Sequence, residues 1–297
     1  MKRILLVSFL IGALAFSATA ETYVVGSDIP WQPFEMITSD GEFFGFDLDL
    51  MRAIAIKAGF ELEIRNIAFD SIIEEVRAGR VDIGASGFTI TEERDQTVDF
   101  SNPYFLSNQA VVIRKDSGLN IVTALAGQGR TKAVGAQNST TGLWWGEDNL
   151  GAFKITINGY ETYPAAILDL VNGRIDAVIQ DEPASRASVA AYPDRLTVAG
   201  IINTNEYFGF LVAEEDPDRL LPRINNALEV LGLTVADSTG GLQELIIAEG
   251  SVIESLLQIY FEPDPKDITA AWEKCKGSIL GGDLDGFIRR MKAELGL

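Results

Sequence analysis

The sequence predicts an α/β protein built as two lobes, and three observations carry that prediction. Strand-like and helix-like segments alternate in two separate runs, residues 23–85 and 132–183, and each run has the rhythm of parallel strands joined by crossover helices. The 297 residues suit two domains at roughly 150 residues each. A composition of 47% hydrophobic and 23% charged residues supplies apolar mass for two cores.

In the first run Tyr23–Gly26 reads as a short buried strand, followed by a loop containing Pro30 and Pro33. Asp47 is expected to cap a helix whose apolar residues Leu48, Met51, Ile54 and Ala55 recur at helical spacing until Gly59. Glu61–Arg65 alternates as a half-buried strand does. Asp70 is expected to cap a second helix with Ile73 and Val76 inward and Gly79 at its end, and Val81–Ala85 is the next strand. The second run begins with a strand at Lys132–Ala136 and a helix opened by Thr140 through Trp144 and Trp145. A strand at Phe153–Ile157, a helix at Tyr163–Val171 stopped by Asn172–Gly173, and a strand at Arg174–Ile179 follow. Asp181–Glu182–Pro183 then starts another helix. Gln109–Arg114 joins the runs, and Tyr207–Ala213 is a late strand able to return to the first lobe. Beyond Pro222 the spacing predicts helices at Asn225–Leu231, Leu242–Ile247, Ile253–Tyr260, around Trp272, and at Leu284–Leu295.

Charge and residue counts remove whole classes of function. With 24 Lys+Arg against 43 Asp+Glu the chain carries a net charge of −19, which repels phosphate backbones and excludes nucleic acid as the default partner. Without a single histidine and with one cysteine, Ser-His-Asp, Cys-His and ordinary zinc chemistry are excluded. No metal and no cofactor is expected. Ser86 lacks both the elbow motif and a histidine to activate it. Asp283–Leu284–Asp285–Gly286 has its glycine misplaced for a calcium loop. Residues 1–20 read as a signal peptide: basic Lys2 and Arg3, an apolar run from Ile4 to Phe16 too short to span a bilayer, and small residues from Ser17 to Ala20. Glu21 stands where a lipoprotein would need cysteine, so a soluble periplasmic chain is expected.

Chemistry concentrates at strand ends. In Gly84–Arg94, a strand ends in small residues and Thr89 or Thr91 starts a helix with Glu92 and Glu93 in its first turn. That is either a good helix cap or a carboxylate receptor made of free N–H groups, a hydroxyl and the Arg94 guanidinium. Ser139–Thr140–Thr141–Gly142 repeats the design in the second lobe, again as a cap or as an anion site. Asp181 either caps its helix or meets a ligand ammonium. Asp28 follows the first strand in the equivalent place, with Trp31 three residues on. Trp31, Phe34 and Phe69 are core aromatics or the walls of a cleft.

These residues carry a resemblance. Val25–Asp28 with Pro33–Glu35, Gly45–Leu50, Gly84–Arg94, Val98–Tyr104 and Gly173–Pro183 resemble the motifs of the amino-acid-binding periplasmic proteins of ABC transporters, bacterial extracellular solute-binding protein family 3, in order and spacing over residues 22–261. The resemblance implies the two-lobed periplasmic binding protein type II fold, with two hinge strands and a ligand cleft between lobes. It places a discontinuous first lobe at 21–109 plus 207–261 and the second at 110–206, with a helical C-terminal extension, 262–297, that has no counterpart in the family pattern. The segment from Leu231 to Gly241 is also longer than the pattern before Glu249–Gly250–Ser251. By the same resemblance Arg94 clamps a ligand α-carboxylate, helped by Thr89 and by Thr140 and Thr141. Asp181 and the Gly87 carbonyl take the α-ammonium, Trp31 and Phe69 sandwich the side chain, and Asp28 reads its far end, with Gln180 and Ser86 as weaker members of that wall.

The implied function is capture of a polar L-amino acid by hinge closure and its delivery to a membrane permease. An acid at Asp28 beside two aromatics favours a cationic or amide end, hence arginine, lysine or glutamine, and disfavours glutamate. Two other classes fit the fold. One is an enzyme similar to cyclohexadienyl dehydratase, which needs a neutral pocket acid, whereas Asp181 is expected to stay ionised. The other is a ligand sensor that docks to a receptor.

Overall fold

The computed structural model describes residues 20–126, 131–237 and 243–297. The predicted signal peptide, but for Ala20, lies outside the described residues, as do Gly241 and Leu242.

The first lobe is laid down from β1 (Thr22–Ser27), the short hairpin of β2 (Met36–Ile37) and β3 (Phe43–Phe44), α1 (Phe46–Ala58), β4 (Glu61–Asn66), α2 (Phe69–Arg77), β5 (Ile83–Gly84), the one-turn α3 (Glu92–Asp95) and β6 (Val98–Phe100). The chain crosses on β7 (Phe105–Arg114). The second lobe holds α4 (Ile121–Leu125), β8 (Ala133–Gln137), α5 (Thr141–Leu150), β9 (Thr156–Tyr160), α6 (Tyr163–Val171), β10 (Ala177–Asp181) and α7 (Glu182–Ala191). The chain returns on β11 (Leu196–Phe208) to β12 (Leu211–Ala213). It continues through α8 (Leu220–Val230), β13 (Leu233–Asp237), β14 (Gln243–Ile247), α9 (Val252–Phe261), α10 (Pro265–Leu280) and α11 (Leu284–Leu295).

Two five-stranded sheets result, ordered β4-β1-β5-β12-β6 and β11-β7-β10-β8-β9. In the first, β1 runs parallel to β4 and β5, and β12 antiparallel to β5 and β6. In the second, β10, β8 and β9 are parallel, and β7 pairs antiparallel with both β10 and β11. The two long strands β7 and β11 connect the lobes, paired from Phe105↔Phe208 to Arg114↔Leu196 with register shifts between Val198 and Gly200 and between Ile202 and Glu206. Parallel strands buried on both faces explain the near-continuous apolar runs such as Ala177–Ile179, all fully buried.

Several expectations need correction. Asp47 does not cap α1: Gly45 does, at φ 132°, where a Cβ would run into the Phe34 carbonyl. Asp47 and Asp49 instead lie fully buried in the first turns of α1. Asp70 likewise sits inside the first turn of α2, whose N-cap position is Ala68; Val76 is fully buried as expected, but its fully buried companion is Ile72 rather than Ile73. The late strand is broken at Gly209–Phe210 into the end of β11 and β12. The strand predicted at Phe153–Ile157 begins only at Thr156, after a 3₁₀ turn over Gly151–Phe153. Leu242–Ile247, read as helical, is not: Gln243–Ile247 is β14, paired with β13 from Asp237↔Gln243 to Leu233↔Ile247. Five residues are too few for periodicity to separate helix from strand, and the cross-strand partner decides.

The C-terminal helices belong to the first lobe's core. Trp272 is fully buried and stacks on Phe44 with ring centroids 4.7 Å apart. Its Nε1 donates to Asp49 Oδ2 at 2.9 Å, where Tyr260 Oη also donates, while Arg52 holds Oδ1 at 2.5 Å. Burial nevertheless raises the Asp49 carboxyl above its ordinary range, against the pull of these partners. Asp283, rejected as a calcium ligand, is the N-cap of α11 and accepts from the Gly286 N–H at 2.9 Å.

Candidate functional site

Strand ends from both lobes converge on one cavity. All nine predicted site residues, Asp28, Trp31, Phe69, Gly87, Thr89, Arg94, Thr140, Thr141 and Asp181, line it, together with Ser86, Gln137 and Tyr163. Gln180 does not: it lines a neighbouring cavity behind Trp31 and Tyr163, where its Nε2 donates to Ser188 Oγ at 2.9 Å. Phe34 is fully buried in the core, stacked on Trp31 at 4.8 Å.

The first lobe supplies the cation. Thr91 caps α3 by accepting from the Arg94 N–H at 3.2 Å, and the single turn brings the Arg94 side chain back against the end of β5. Nη1 donates to the Thr89 carbonyl at 2.8 Å and Nη2 crosses to the Ser139 carbonyl at 2.9 Å. The guanidinium carbon lies 5.6, 5.6 and 5.1 Å from the ring centroids of Phe69, Phe88 and Trp144. Burial lowers its pKa to about 10, opposed by the charges of Glu206 and Asp181, so the group stays cationic at neutral pH. Two of its five N–H groups are used by carbonyls, and the other three have no acceptor among the described residues. Gly87, at φ 56°, packs so closely on Trp31 that a Cβ would enter the indole ring.

The second lobe supplies a helix N-terminus and a carboxylate. Thr140 caps α5, accepting from the Leu143 N–H at 3.2 Å and donating to the Gln137 carbonyl at 2.7 Å. Asp181 occupies the N-cap position of α7 but makes no cap bond, and its buried Oδ1 has no protein partner. The capping reading therefore fails for Asp181. Burial first, then the charge of Glu206, push its carboxyl up to about 8, against hydrogen bonds from Ser107 and Gln109. Burial thus opposes the ionised form that the sequence reading expects of Asp181.

At the far end Asp28 Oδ2 accepts from Gln137 Nε2 across the cleft at 2.5 Å, and its N–H donates to Ser86 Oγ at 3.1 Å. Burial raises Asp28 to about 6, moderated by Gln137 and reinforced by the charges of Asp70 and Glu161. Glu206, on the connecting strand β11, was missed in the sequence. Its Oε2 accepts from Thr89 at 2.9 Å and Thr141 at 2.5 Å, and its Oε1 from Gln109 Nε2 at 3.1 Å, so it ties both lobes to a connecting strand. Gln137 was legible as the last residue of β8 by the strand-end rule that found Asp181. Tyr163 opens α6 like an ordinary core aromatic, and Glu206 follows Asn205 in a polar run that reads as solvated edge.

The arrangement sets one buried guanidinium against three buried carboxyl groups. It suits a zwitterion carrying an additional positive or hydrogen-donating end. Among the described residues no group of three or more His, Cys, Asp or Glu could hold a metal ion, and no helix is long and apolar enough to cross a membrane.

Comparison with known proteins gives the same direction. Residues 23–234 match the model of the bacterial extracellular solute-binding proteins, family 3. The chain is 32% identical over 234 residues to the ABC transporter arginine-binding protein 1 of Escherichia coli strain K12, covering 78% of this chain and 93% of that protein. A crystal structure of a mutant ArgBP from T. maritima superposes with a TM-score of 0.69 at 33% identity, covering 82% of this chain and 96% of that one. The arginine-, lysine-, histidine-binding protein ArtJ from Geobacillus stearothermophilus gives 0.68 at 30%, covering 83% and 97%. These relatives are named for binding rather than turnover, and they, not the charge state of Asp181, set aside the dehydratase reading.

Proposed function

The chain belongs to family 3 of the bacterial extracellular solute-binding proteins, and from that premise we propose that its cavity captures an L-amino acid with a cationic side chain, arginine before lysine, with glutamine as the neutral alternative. The observation that carries this reading is the buried charge set, Arg94 facing Asp28, Asp181 and Glu206. The Asp28 and Asp181 carboxyls, raised in pKa by burial, are stabilised in their ionised form by a cation placed beside them.

The ligand α-carboxylate meets a fork of two of the remaining N–H groups of Arg94 and the free N–H groups at the start of α5. The Thr89 and Thr141 hydroxyl protons are directed at Glu206, so these side chains offer lone pairs rather than donors to the ligand. The α-ammonium lies between Asp181 and the Gly87 carbonyl. The side chain passes Trp31 and Phe69 to reach Asp28 and Gln137. Each lobe holds only part of this contact set, so binding and closure about β7 and β11 are one event. The same reading divides the chain into lobes at 21–109 with 207–261 and at 110–206, with the helices of 262–297 packed on the first lobe. It has residues 1–20 removed on export and the closed, loaded form handed to an ABC permease.

The test is a thermal-shift screen of residues 21–297 against the proteinogenic amino acids, ornithine, citrulline and prephenate. Ligand at 100 times its Kd adds about 2.7 kcal/mol of stability. Arginine and lysine are expected to raise the midpoint most, and a shift with prephenate alone would restore the enzyme. Asp28→Asn should weaken arginine at least ~10-fold more than glutamine, because only the cation loses a charge partner; equal losses in calorimetry would contradict the electrostatic role. The pH dependence has a definite sign. A carboxyl raised to about 6 is mostly protonated at pH 5, so arginine must displace a proton there. Its affinity should rise about 10-fold between pH 5 and pH 7 through Asp28 alone, and glutamine affinity should change less; titrations in buffers of different ionisation enthalpy check the proton release.

A further inference from the structure

Beneath the cavity lies a second acidic pair that ligand capture does not use. Glu35 and Asp47 are both fully buried. Asp47 Oδ2 accepts from the Gly87 N–H at 2.8 Å and from Tyr104 Oη at 2.6 Å. Three carboxyl oxygens are left over, Asp47 Oδ1 and both oxygens of Glu35, and no protein N–H or O–H reaches them. No lysine or arginine among the described residues pairs with either group; Arg52, on the same helix, is engaged by Asp49. The groups facing Glu35 are all acidic or phenolic: Asp47 from α1, Asp28 from the end of β1, and Tyr104 from the segment before β7.

Two adjacent carboxylates buried without a cation are mutually repulsive and undonated, whereas one shared proton satisfies both. We propose that Glu35 keeps its proton in the folded protein and donates it to Asp47, and that this one-proton pair positions the Gly87 turn facing the ligand cavity. The oxygen count supports this assignment: Asp47 then accepts from Gly87, Tyr104 and Glu35, and only lone pairs of a neutral acid stay unpartnered. Burial and the Asp47 charge both hold Glu35 well above its ordinary range. Asp47, raised to about 6, remains the ionised partner at neutral pH. The pair is tied to the cavity wall from two sides. Glu35 exchanges backbone hydrogen bonds with Trp31 at 2.8 and 2.9 Å, and Asp47 holds the Gly87 N–H. Glu35 is thus a positioning residue. The consequence for ligand affinity rests on the function proposed above; the protonation and the anchoring of Gly87 do not.

Glu35→Gln keeps a donor for Asp47 and loses the titration, and Glu35→Leu loses both. A group that keeps its proton only when folded opposes folding increasingly as pH rises. The folding constant of the wild type should therefore fall relative to Glu35→Gln by up to about 10-fold per pH unit between pH 5.5 and 7.5 in urea titrations. Parallel pH profiles would overturn the assignment. The Gly87 amide proton should be protected from exchange in the wild type and in Glu35→Gln and at least ~10-fold less protected in Glu35→Leu. Equal protection in all three would overturn the positioning role. Should Glu35→Leu not fold, loss of Gly87 protection in the wild type above the pH at which Glu35 titrates, with protection retained in Glu35→Gln, reads the same role. Where the wild type shows both signatures but binds no amino acid, the proposed function fails and this inference stands.

Discussion

Arg94→Ala is expected to weaken amino-acid binding by at least ~100-fold while leaving the fold intact. Among the described residues the guanidinium is the one cation lining the cavity, and it is held by two carbonyls and three aromatic rings rather than by a carboxylate, so N–H groups remain for a ligand anion. A charge-assisted, multidentate contact in a desolvated site contributes several kcal/mol to affinity, and its loss leaves the ligand carboxylate without a counter-charge. Stability should not fall in proportion. Arg94 itself sits desolvated, with its pKa lowered to about 10, so removing it also removes an unfavourable burial. Arg94→Lys should rescue little, because one ammonium cannot reproduce the fork that reaches Thr89, Ser139 and a ligand together. Calorimetric titration with unfolding midpoints measured alongside checks both halves; near-normal binding by Arg94→Ala would remove the carboxylate clamp from the account.

Trp272→Ala is expected to be the most destabilising single change outside the cleft. The indole is fully buried against Phe44, and deleting such a side chain costs about 3–5 kcal/mol. Asp49 loses one of its donors as well, which adds about 1–3 kcal/mol where the carboxylate stays buried. Trp272→Phe separates the terms, keeping most of the volume and losing only the donor. Urea denaturation measures both. A wild-type midpoint for Trp272→Ala would show that residues 262–297 are an appendage rather than part of the first lobe, contrary to the burial of Ile268, Cys275, Phe287 and Met291.

The residues that could be read from the sequence share a local signature. A strand of β-branched residues ending in Gly, Ser or Thr before a helix start is visible without any tertiary information, and it located Thr89, Arg94, Thr140 and Thr141. Asp28 and Asp181 were visible by the same logic, as acids directly after apolar strands. What escaped depends on contacts distant in the chain. Asp47 and Asp49 look like first-turn surface acids on α1, and only Gly87, Tyr104, Tyr260 and Trp272, arriving from later segments, turn them inward. Glu206 is anonymous until Thr89 and Thr141 meet over it from opposite lobes. β13 and β14 each carry too little periodicity to declare themselves, and their pairing places them.

The central claim is that one ligand spans the cavity with its carboxylate on Arg94, its ammonium on Asp181 and a cationic end on Asp28. Calorimetric titration of residues 21–297 with L-arginine and, separately, with agmatine, which keeps both cations and lacks the carboxylate, tests it most directly. L-Arginine should bind one-to-one, with agmatine at least ~100-fold weaker. Equal affinity for the two, or no heat with arginine, lysine or glutamine, would contradict the account.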